Sequence, residues 1–194
     1  SEGIKFNELN KIRVGLTVRK WNFPLSQDPG KLFKNYIDTF VKVLDKLYFQ
    51  YGAEIFIMPH YLGDMEIGEQ IAKKSKNPRV FVLKGDYSTL ELRALYGMMD
   101  LFIGTRIHSD IFALSAGTPI IAIAYQIPKG FGIISMVEDD CIIDITKIND
   151  EVLWKIIEKV FSEKAERGRQ ILARVDYLKK EIEDRIPLLI QSYI

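Results

Sequence analysis

The fold of this 194-residue chain is decided by one stretch, Leu101-Phe102-Ile103-Gly104-Thr105-Arg106-Ile107-His108-Ser109-Asp110. An apolar run typical of a strand, residues 98–103, leads through Gly104 into a helical pattern that ends at Gly117-Thr118-Pro119. A strand that enters a helix through a glycine turn directs free backbone N–H groups toward one point. Arg106 and His108 lie at the same point. The stretch therefore predicts a receptor for a small anion with a titratable group beside it.

Strand-like and helix-like segments alternate on both sides of this stretch. The strand-like runs, such as Ile120-Ile121-Ala122-Ile123-Ala124, are continuously apolar, which indicates a parallel sheet that is covered on both faces. The fold class predicted is therefore α/β, a doubly wound parallel sheet of Rossmann-like type. The predicted strands are residues 12–18, 53–58, 79–83, 100–104, 120–125 and 141–145, and the predicted helices are 31–51, 66–75, 88–97, 106–116 and a short one near 130–137.

The last quarter of the chain has a helical pattern throughout. Apolar residues recur at helical spacing in two segments, and Gly168 and Pro187 punctuate the pattern. We therefore expect a Rossmann-like domain over residues 1–148 and a helical C-terminal extension, residues 149–194, whose helices pack on the domain or extend from it.

Composition excludes several classes of protein. The formal net charge is +1, so no overall field attracts nucleic acid or an anionic membrane. No apolar stretch approaches the roughly 20 residues of a membrane span, and no secretory signal is visible, so we expect a cytoplasmic protein. The single Cys141 cannot form an internal disulfide, and neither Cys/His spacing nor a carboxylate cluster indicates a metal site. We expect no cofactor.

The residues after the predicted strands test function directly, because ligands of open parallel sheets bind outside the carboxyl ends of the strands. Both histidines, two arginines and several lysines stand there among aromatic residues. In a chain of net charge +1, such a local cationic cluster favours a small, multiply charged anion. The candidate site residues are Arg19, His60, Thr105, Arg106, His108, Ser109 and Lys129.

Most of these candidates also have a structural interpretation, which stays open at this point. Arg106 would then pair with Asp110, four residues on. His108 would pack in the first turn of its helix, and Arg19 would cover a neighbouring helix with its aliphatic stem. Two candidates would be loop or surface decoration, namely His60 and Lys129.

Several pieces of sequence stand in register over roughly residues 15–144, and together they resemble the polysaccharide pyruvyl transferase family. The pieces are Gly15-Leu16-Thr17-Val18-Arg19-Lys20-Trp21, Met58-Pro59-His60 with Asp64, Lys84-Gly85-Asp86, the stretch from Asp100 to Ser109, Gly117-Thr118-Pro119, and Tyr125 with Lys129.

The resemblance implies half of a two-domain fold like that of the GT-B glycosyltransferases, and no part of the chain resembles the family's amino-terminal domain. It implies transfer of pyruvate from phosphoenolpyruvate to two hydroxyls of one sugar, as a cyclic ketal on a cell-surface polysaccharide or its lipid-linked precursor. By the same resemblance, Arg106 and His108 contact phosphoenolpyruvate and Arg19 supplies a second cation. His108 is then the candidate for proton transfer, because its unperturbed pKa lies near working pH. Lys129 would neutralise the departing phosphate.

Two other functions remain open. A sugar-nucleotide-dependent GT-B glycosyltransferase has a donor-binding domain of the same architecture. The ribose of the sugar nucleotide is commonly bound by a carboxylate, and Glu138, Asp139 and Asp140 are candidates. A non-catalytic anion-binding or scaffold domain would use the C-terminal helices for assembly. Ligand preference separates the three, since the third predicts neither phosphoenolpyruvate nor a sugar nucleotide as ligand.

Overall fold

The computed structural model describes residues 11–125, 132, 134–137 and 141–191. The strands are β1 (Arg13–Leu16), β2 (Glu54–Ile57), β3 (Val80–Val82), β4 (Leu101–Gly104), β5 (Ile120–Ala124) and β6 (Ile142–Asp144). The helices are α1 (Pro29–Tyr51), α2 (Leu62–Lys74), α3 (Thr89–Gly97), α4 (Ile107–Ser115) and α5 (Asp150–Gln191). Each predicted strand is present and shorter than predicted. The predicted short helix near 130–137 lies largely outside the described residues, and 135–137 form a turn.

The strands form one parallel sheet in the order β3-β2-β1-β4-β5-β6. This order confirms the doubly wound α/β fold. It reverses direction between β1 and β4, which lie side by side at the centre with Leu16 opposite Ile103. Such a switch point is where open α/β sheets bind ligands, because the loops after the two strands diverge to opposite faces.

Two apolar layers cover the sheet, one on each face. The first contains buried residues of α1, α2 and the beginning of α5, including Leu44, Ile71 and Ile157. The second contains Tyr96 of α3 and Leu114 of α4. Coverage of both faces explains why the strands are continuously apolar rather than alternating.

The C-terminal extension is one helix of 42 residues, so the prediction of two helical segments is wrong. Gly168 does not interrupt the helix, and its lack of a side chain allows a close contact with a neighbouring backbone. A Cβ at this position would lie 3.2 Å from the backbone oxygen of Gly117, which follows α4 with a left-handed φ of 80°. Pro187 also lies inside the helix, near its end.

Helix α2 begins four residues earlier than predicted, at Leu62 rather than residue 66. Asp64 is therefore in the first turn of a helix and not in a loop, and it is 2% exposed. A carboxylate in that position is stabilised by the helix dipole. Helix α3 begins with a capping box, in which Ser88 and Glu91 each accept a backbone N–H of the other.

In the part of the chain that the structure describes, no helix is long and apolar enough to cross a membrane.

Candidate active site

Hydrogen bonds between Thr17 and Thr105 join the carboxyl ends of the two central strands. The backbone N–H of Thr105 donates to Oγ1 of Thr17 at 2.9 Å, and the Thr105 hydroxyl donates to the Thr17 carbonyl at 3.0 Å. Both residues are buried. In this structure the hydrogen bond donated by the Thr105 hydroxyl fixes the spacing of the two loops that carry Arg19 and Arg106. A contact between Thr105 and a ligand stays a prediction.

Arg106 forms a bidentate ion pair with Asp64 across the end of the sheet. Its Nη2 lies 2.7 Å from both carboxylate oxygens, and Nε lies 3.1 Å from Oδ2. The guanidinium carbon is 4.6 Å from the ring centroid of Tyr61. The side chains of Arg106 and Asp64 are 17% and 2% exposed. The guanidinium is thus held rigidly at the switch point, with Nη1 outside the pair.

The alternative partner of Arg106, Asp110, is not its partner in the structure. Asp110 is buried, and a Cβ on Gly104 would lie 1.5 Å from its Oδ1. A side chain at position 104 would therefore have to displace the Asp110 carboxyl, which occupies that space. Burial raises the pKa of Asp110 well above its ordinary value, which favours the protonated carboxyl. Among the described residues, Oδ1 has no hydrogen-bond partner.

His60 belongs to a network of hydroxyl groups beside this ion pair. Its Nε2 lies 2.7 Å from Oγ of Ser109 and 3.3 Å from the hydroxyl of Tyr96. Burial lowers the pKa of His60, the positive charges of Arg106 and His108 lower it further, and Asp64 partly opposes them. The imidazole is therefore neutral at pH 7. Interpreting His60 as loop decoration is wrong, because Tyr96 of α3 and Ser109 of α4 hold its ring in place.

Arg19 lies over two aromatic rings after β1. Its guanidinium carbon is 4.0 Å from the ring centroid of Tyr125 and 5.1 Å from that of Trp21. Its backbone N–H donates to the hydroxyl of Tyr36 at 3.0 Å. The guanidinium therefore does not cover a neighbouring helix. Cation–π contact with the two rings restrains the guanidinium, whose N–H groups suit a planar anion.

His108 is exposed in the first turn of α4, so it is not a packing residue. Arg106 occupies the N-cap position of α4, but its side chain accepts no hydrogen bond from the backbone N–H groups of the helix. The first backbone N–H groups of α4 therefore need another acceptor, and an anion is a suitable one.

The structure brings five of the seven candidates together around the end of β4, and Arg19 lies after the neighbouring strand β1. Lys129 lies outside the described residues, as do Glu138, Asp139 and Asp140. Sequence reasoning missed the role of Asp64 as the partner of Arg106 and the hydroxyl of Tyr96 beside His60. The apolar pattern of α2 could have revealed Asp64, since it places this acid one turn before the buried Ile67 and Gly68. Within the described ranges, no group of three His, Cys, Asp or Glu residues is arranged to hold a metal ion.

Comparison with known proteins gives a family and a fold. The chain matches the model of the family described as polysaccharide pyruvyl transferase over residues 20–127, more than half of its length. No curated protein matches it significantly.

Similar solved structures include GT-B glycosyltransferases, as expected for half of such a fold. Anabaena HepE in complex with UDP-glucose is 15% identical with a TM-score of 0.58, over 94% of this chain and 49% of that one. Trehalose 6-phosphate synthase of Burkholderia multivorans is 10% identical with a TM-score of 0.56, over 95% and 45%. The O-GlcNAc transferase of Thermobaculum terrenum is 16% identical with a TM-score of 0.55, over 86% and 32%. The chain therefore spans about a third to a half of the structures it matches.

Proposed function

Since this chain belongs to the polysaccharide pyruvyl transferase family, we propose that it binds phosphoenolpyruvate and contributes that half of the active site to the transfer of pyruvate onto a glycan. The acceptor is a sugar of a cell-surface polysaccharide or of its lipid-linked precursor. The observation that carries the proposal is the rigidly held Arg106 at the switch point, next to the uncapped beginning of α4 and the exposed His108.

Phosphoenolpyruvate carries a carboxylate and a phosphate, and each suits planar guanidinium groups and converging N–H donors. The α4 N-terminus and Nη1 of Arg106 would hold one anionic group. The edge of the stacked Arg19 would hold the other. Because Asp64 already neutralises Arg106, the net attraction depends on the helix terminus, on Arg19 and on the predicted contribution of Lys129.

The reaction needs a proton at the methylene carbon of phosphoenolpyruvate. His108 would donate it, which makes the central carbon electrophilic. One sugar hydroxyl adds to that carbon and gives its proton to the now neutral His108, and the C–O bond to phosphate breaks with its electron pair on the phosphate. The second hydroxyl then adds to the same carbon, closes the cyclic ketal and gives its proton to the released phosphate. His60, held neutral with Nε2 beside Ser109, would donate a hydrogen bond to substrate from its other ring nitrogen rather than add a positive charge.

The first experiment is an NMR titration of the 194-residue chain with phosphoenolpyruvate, UDP-glucose and inorganic phosphate. We expect affinity near millimolar, about 4 kcal/mol, because only part of the site is present. Backbone shifts around residues 104–110 should be larger for phosphoenolpyruvate than for phosphate. They should vanish in Arg106→Ala and persist in Arg169→Ala, which changes an exposed arginine of α5. A stronger response to UDP-glucose would favour the glycosyltransferase alternative.

Catalysis is tested separately in a protein that contains this chain and turns over. His108→Ala should lower kcat by about 10²- to 10⁴-fold, the usual contribution of general acid catalysis, while phosphoenolpyruvate binding survives. Loss of binding with unchanged kcat would make His108 a ligand-holding residue instead.

A further inference from the structure

A cavity lies beside Arg19, beyond the carboxyl ends of β1, β5 and β6. Its volume is about 330 Å³. The walls are Trp21, Phe23, Leu25 and Tyr125, with Thr146 at the rim. The loop that carries Phe23 is fixed, because this ring is 2% exposed and its backbone is held at a left-handed φ of 46°. Small-molecule sites have this size and this mixture of aromatic walls with few polar groups.

The chemistry of the cavity differs from that of the anion site. None of the described residues that line it is charged. Its hydroxyl groups are those of Ser26, Tyr125 and Thr146, and its other lining side chains are apolar or aromatic. Phosphoenolpyruvate and phosphate are therefore poor occupants. An uncharged ligand with an apolar face and a polar edge fits, and a pyranose ring has that form, since its C–H groups face one way and its hydroxyls lie around the edge.

Arg19 connects this cavity to the anion site. Its guanidinium lies 4.0 Å from the ring centroid of Tyr125, and the rings of Tyr125 and Trp21 are themselves 4.8 Å apart. The same two rings thus support the cation on one side and form the wall of the cavity. We infer that this cavity is the acceptor subsite, which binds one uncharged sugar ring of the glycan by its apolar face. This inference rests on the proposed function.

The position of the cavity explains how two substrates of opposite character meet. The anionic donor is held by guanidinium edges and backbone N–H groups, and the neutral acceptor is held by aromatic faces. A sugar ring stacked in the cavity would present its hydroxyls to a donor bound at Arg19. No residue of the cavity needs to change its charge during the reaction.

The test is saturation-transfer NMR of the 194-residue chain with the methyl glycosides of glucose, galactose and mannose, and with uridine. We expect saturation of ring protons for at least one glycoside. Thr146→Trp, which places an indole in the rim from an exposed position, should weaken that binding about tenfold or more. Thr89→Trp is the matched control at an exposed position in the first turn of α3, which follows β3 at the opposite edge of the sheet, and it should leave glycoside binding unchanged.

Phosphoenolpyruvate is titrated into the same samples. If it binds and no glycoside does, or if Thr146→Trp and Thr89→Trp behave alike, the subsite is wrong and the donor site stands. If glycosides bind as expected and phosphoenolpyruvate does not, the proposed donor fails and the subsite stands. Uridine that saturates the cavity in place of the glycosides would overturn the inference in favour of a nucleotide site. Should Thr146→Trp fail to fold, Leu25→Trp replaces it, because Leu25 is fully exposed.

Discussion

Asp64 determines how much of the Arg106 charge a ligand can use. Two guanidinium nitrogens already face this carboxylate, which is itself buried in the first turn of α2. A buried ion pair contributes little net stability, but removal of one partner leaves an uncompensated charge in a place of low dielectric. Asp64 therefore acts as a positioning residue that keeps Arg106 in one orientation.

Removal of Asp64 should be far more destabilising than removal of a surface acid. In urea denaturation we expect Asp64→Ala to lower the free energy of unfolding by about 3 kcal/mol, because Arg106 is mostly buried. The control is Glu69→Ala, which breaks the pair of Glu69 with Lys84, whose side chains are about half exposed. That change should lower it by less than about 1 kcal/mol. Equal effects would mean that Arg106 finds solvent without Asp64.

The Ser109 hydroxyl should add to the lowering of the His60 pKa that burial causes. We expect Ser109 to donate to Nε2 of the neutral ring, so Ser109→Ala should raise the pKa of His60 toward its ordinary value near 6.5, measured by NMR titration. Ser115→Ala, the same change on the same helix, should leave the pKa unchanged. A further fall of the pKa in Ser109→Ala would show that Nε2 is the donor.

The sign of the accompanying stability effect follows from linkage. The pKa of His60 is lower in the folded protein than in the unfolded chain, so the unfolded chain takes up the proton first as the pH falls. The contribution of His60 to stability is therefore present above pH 6.5 and is lost as the pH falls through 6.5 toward the folded-state pKa. Ser109→Ala should make this pH dependence shallower.

At the scale of elements, hydrophobic pattern predicted every strand and the helices on both faces, because burial of both faces leaves a local signal. The pattern failed where a distant contact decides the outcome. Helix α2 extends back to Leu62 so that Asp64 can reach Arg106, 42 residues away in sequence. Glycine often ends a helix, but Gly168 lies inside α5. Glycine is favoured there because the Gly117 backbone leaves little room for a side chain.

Gly168→Ala tests this explanation. Helix propensity alone predicts a gain of up to about 1 kcal/mol. We expect no gain, or a loss of about 1 kcal/mol, because the new Cβ would lie 3.2 Å from the Gly117 oxygen, which is backbone and cannot turn away. Gly30→Ala in the first turn of α1 is the matched control and should be stabilising, since its Cβ meets only Asp28 Oδ1 at 3.8 Å. A Gly168→Ala variant as stable as Gly30→Ala would contradict the contact.

At the scale of the whole molecule, α5 joins the two layers that the sheet separates. Leu153 and Ile157 of its first half lie in the core on one face, and Ile171 lies in the core on the other face. Sequence pattern predicted a helical tail but could not show this course, because the stripe of a long helix does not reveal which layer each turn contacts. The position of the candidate anion site was predictable, because it follows from the carboxyl ends of the strands, and the strands are visible in the local sequence.

Truncation separates the part of α5 that belongs to the core from the part that extends beyond it. Removal of the residues after Lys179 should leave thermal stability nearly unchanged, because Ile182 and Ile186 are 57% and 48% exposed. Removal of the residues after Lys164 takes away Ile171, which is 2% exposed, and should lower the free energy of unfolding by about 3 kcal/mol or more. Circular dichroism melts of both truncations against the full chain measure the difference. Equal melting temperatures of the two truncations would show that the second apolar layer is complete without α5. A large fall of the melting temperature on truncation after Lys179 would mean that the exposed last turns are stabilised by contacts of their own.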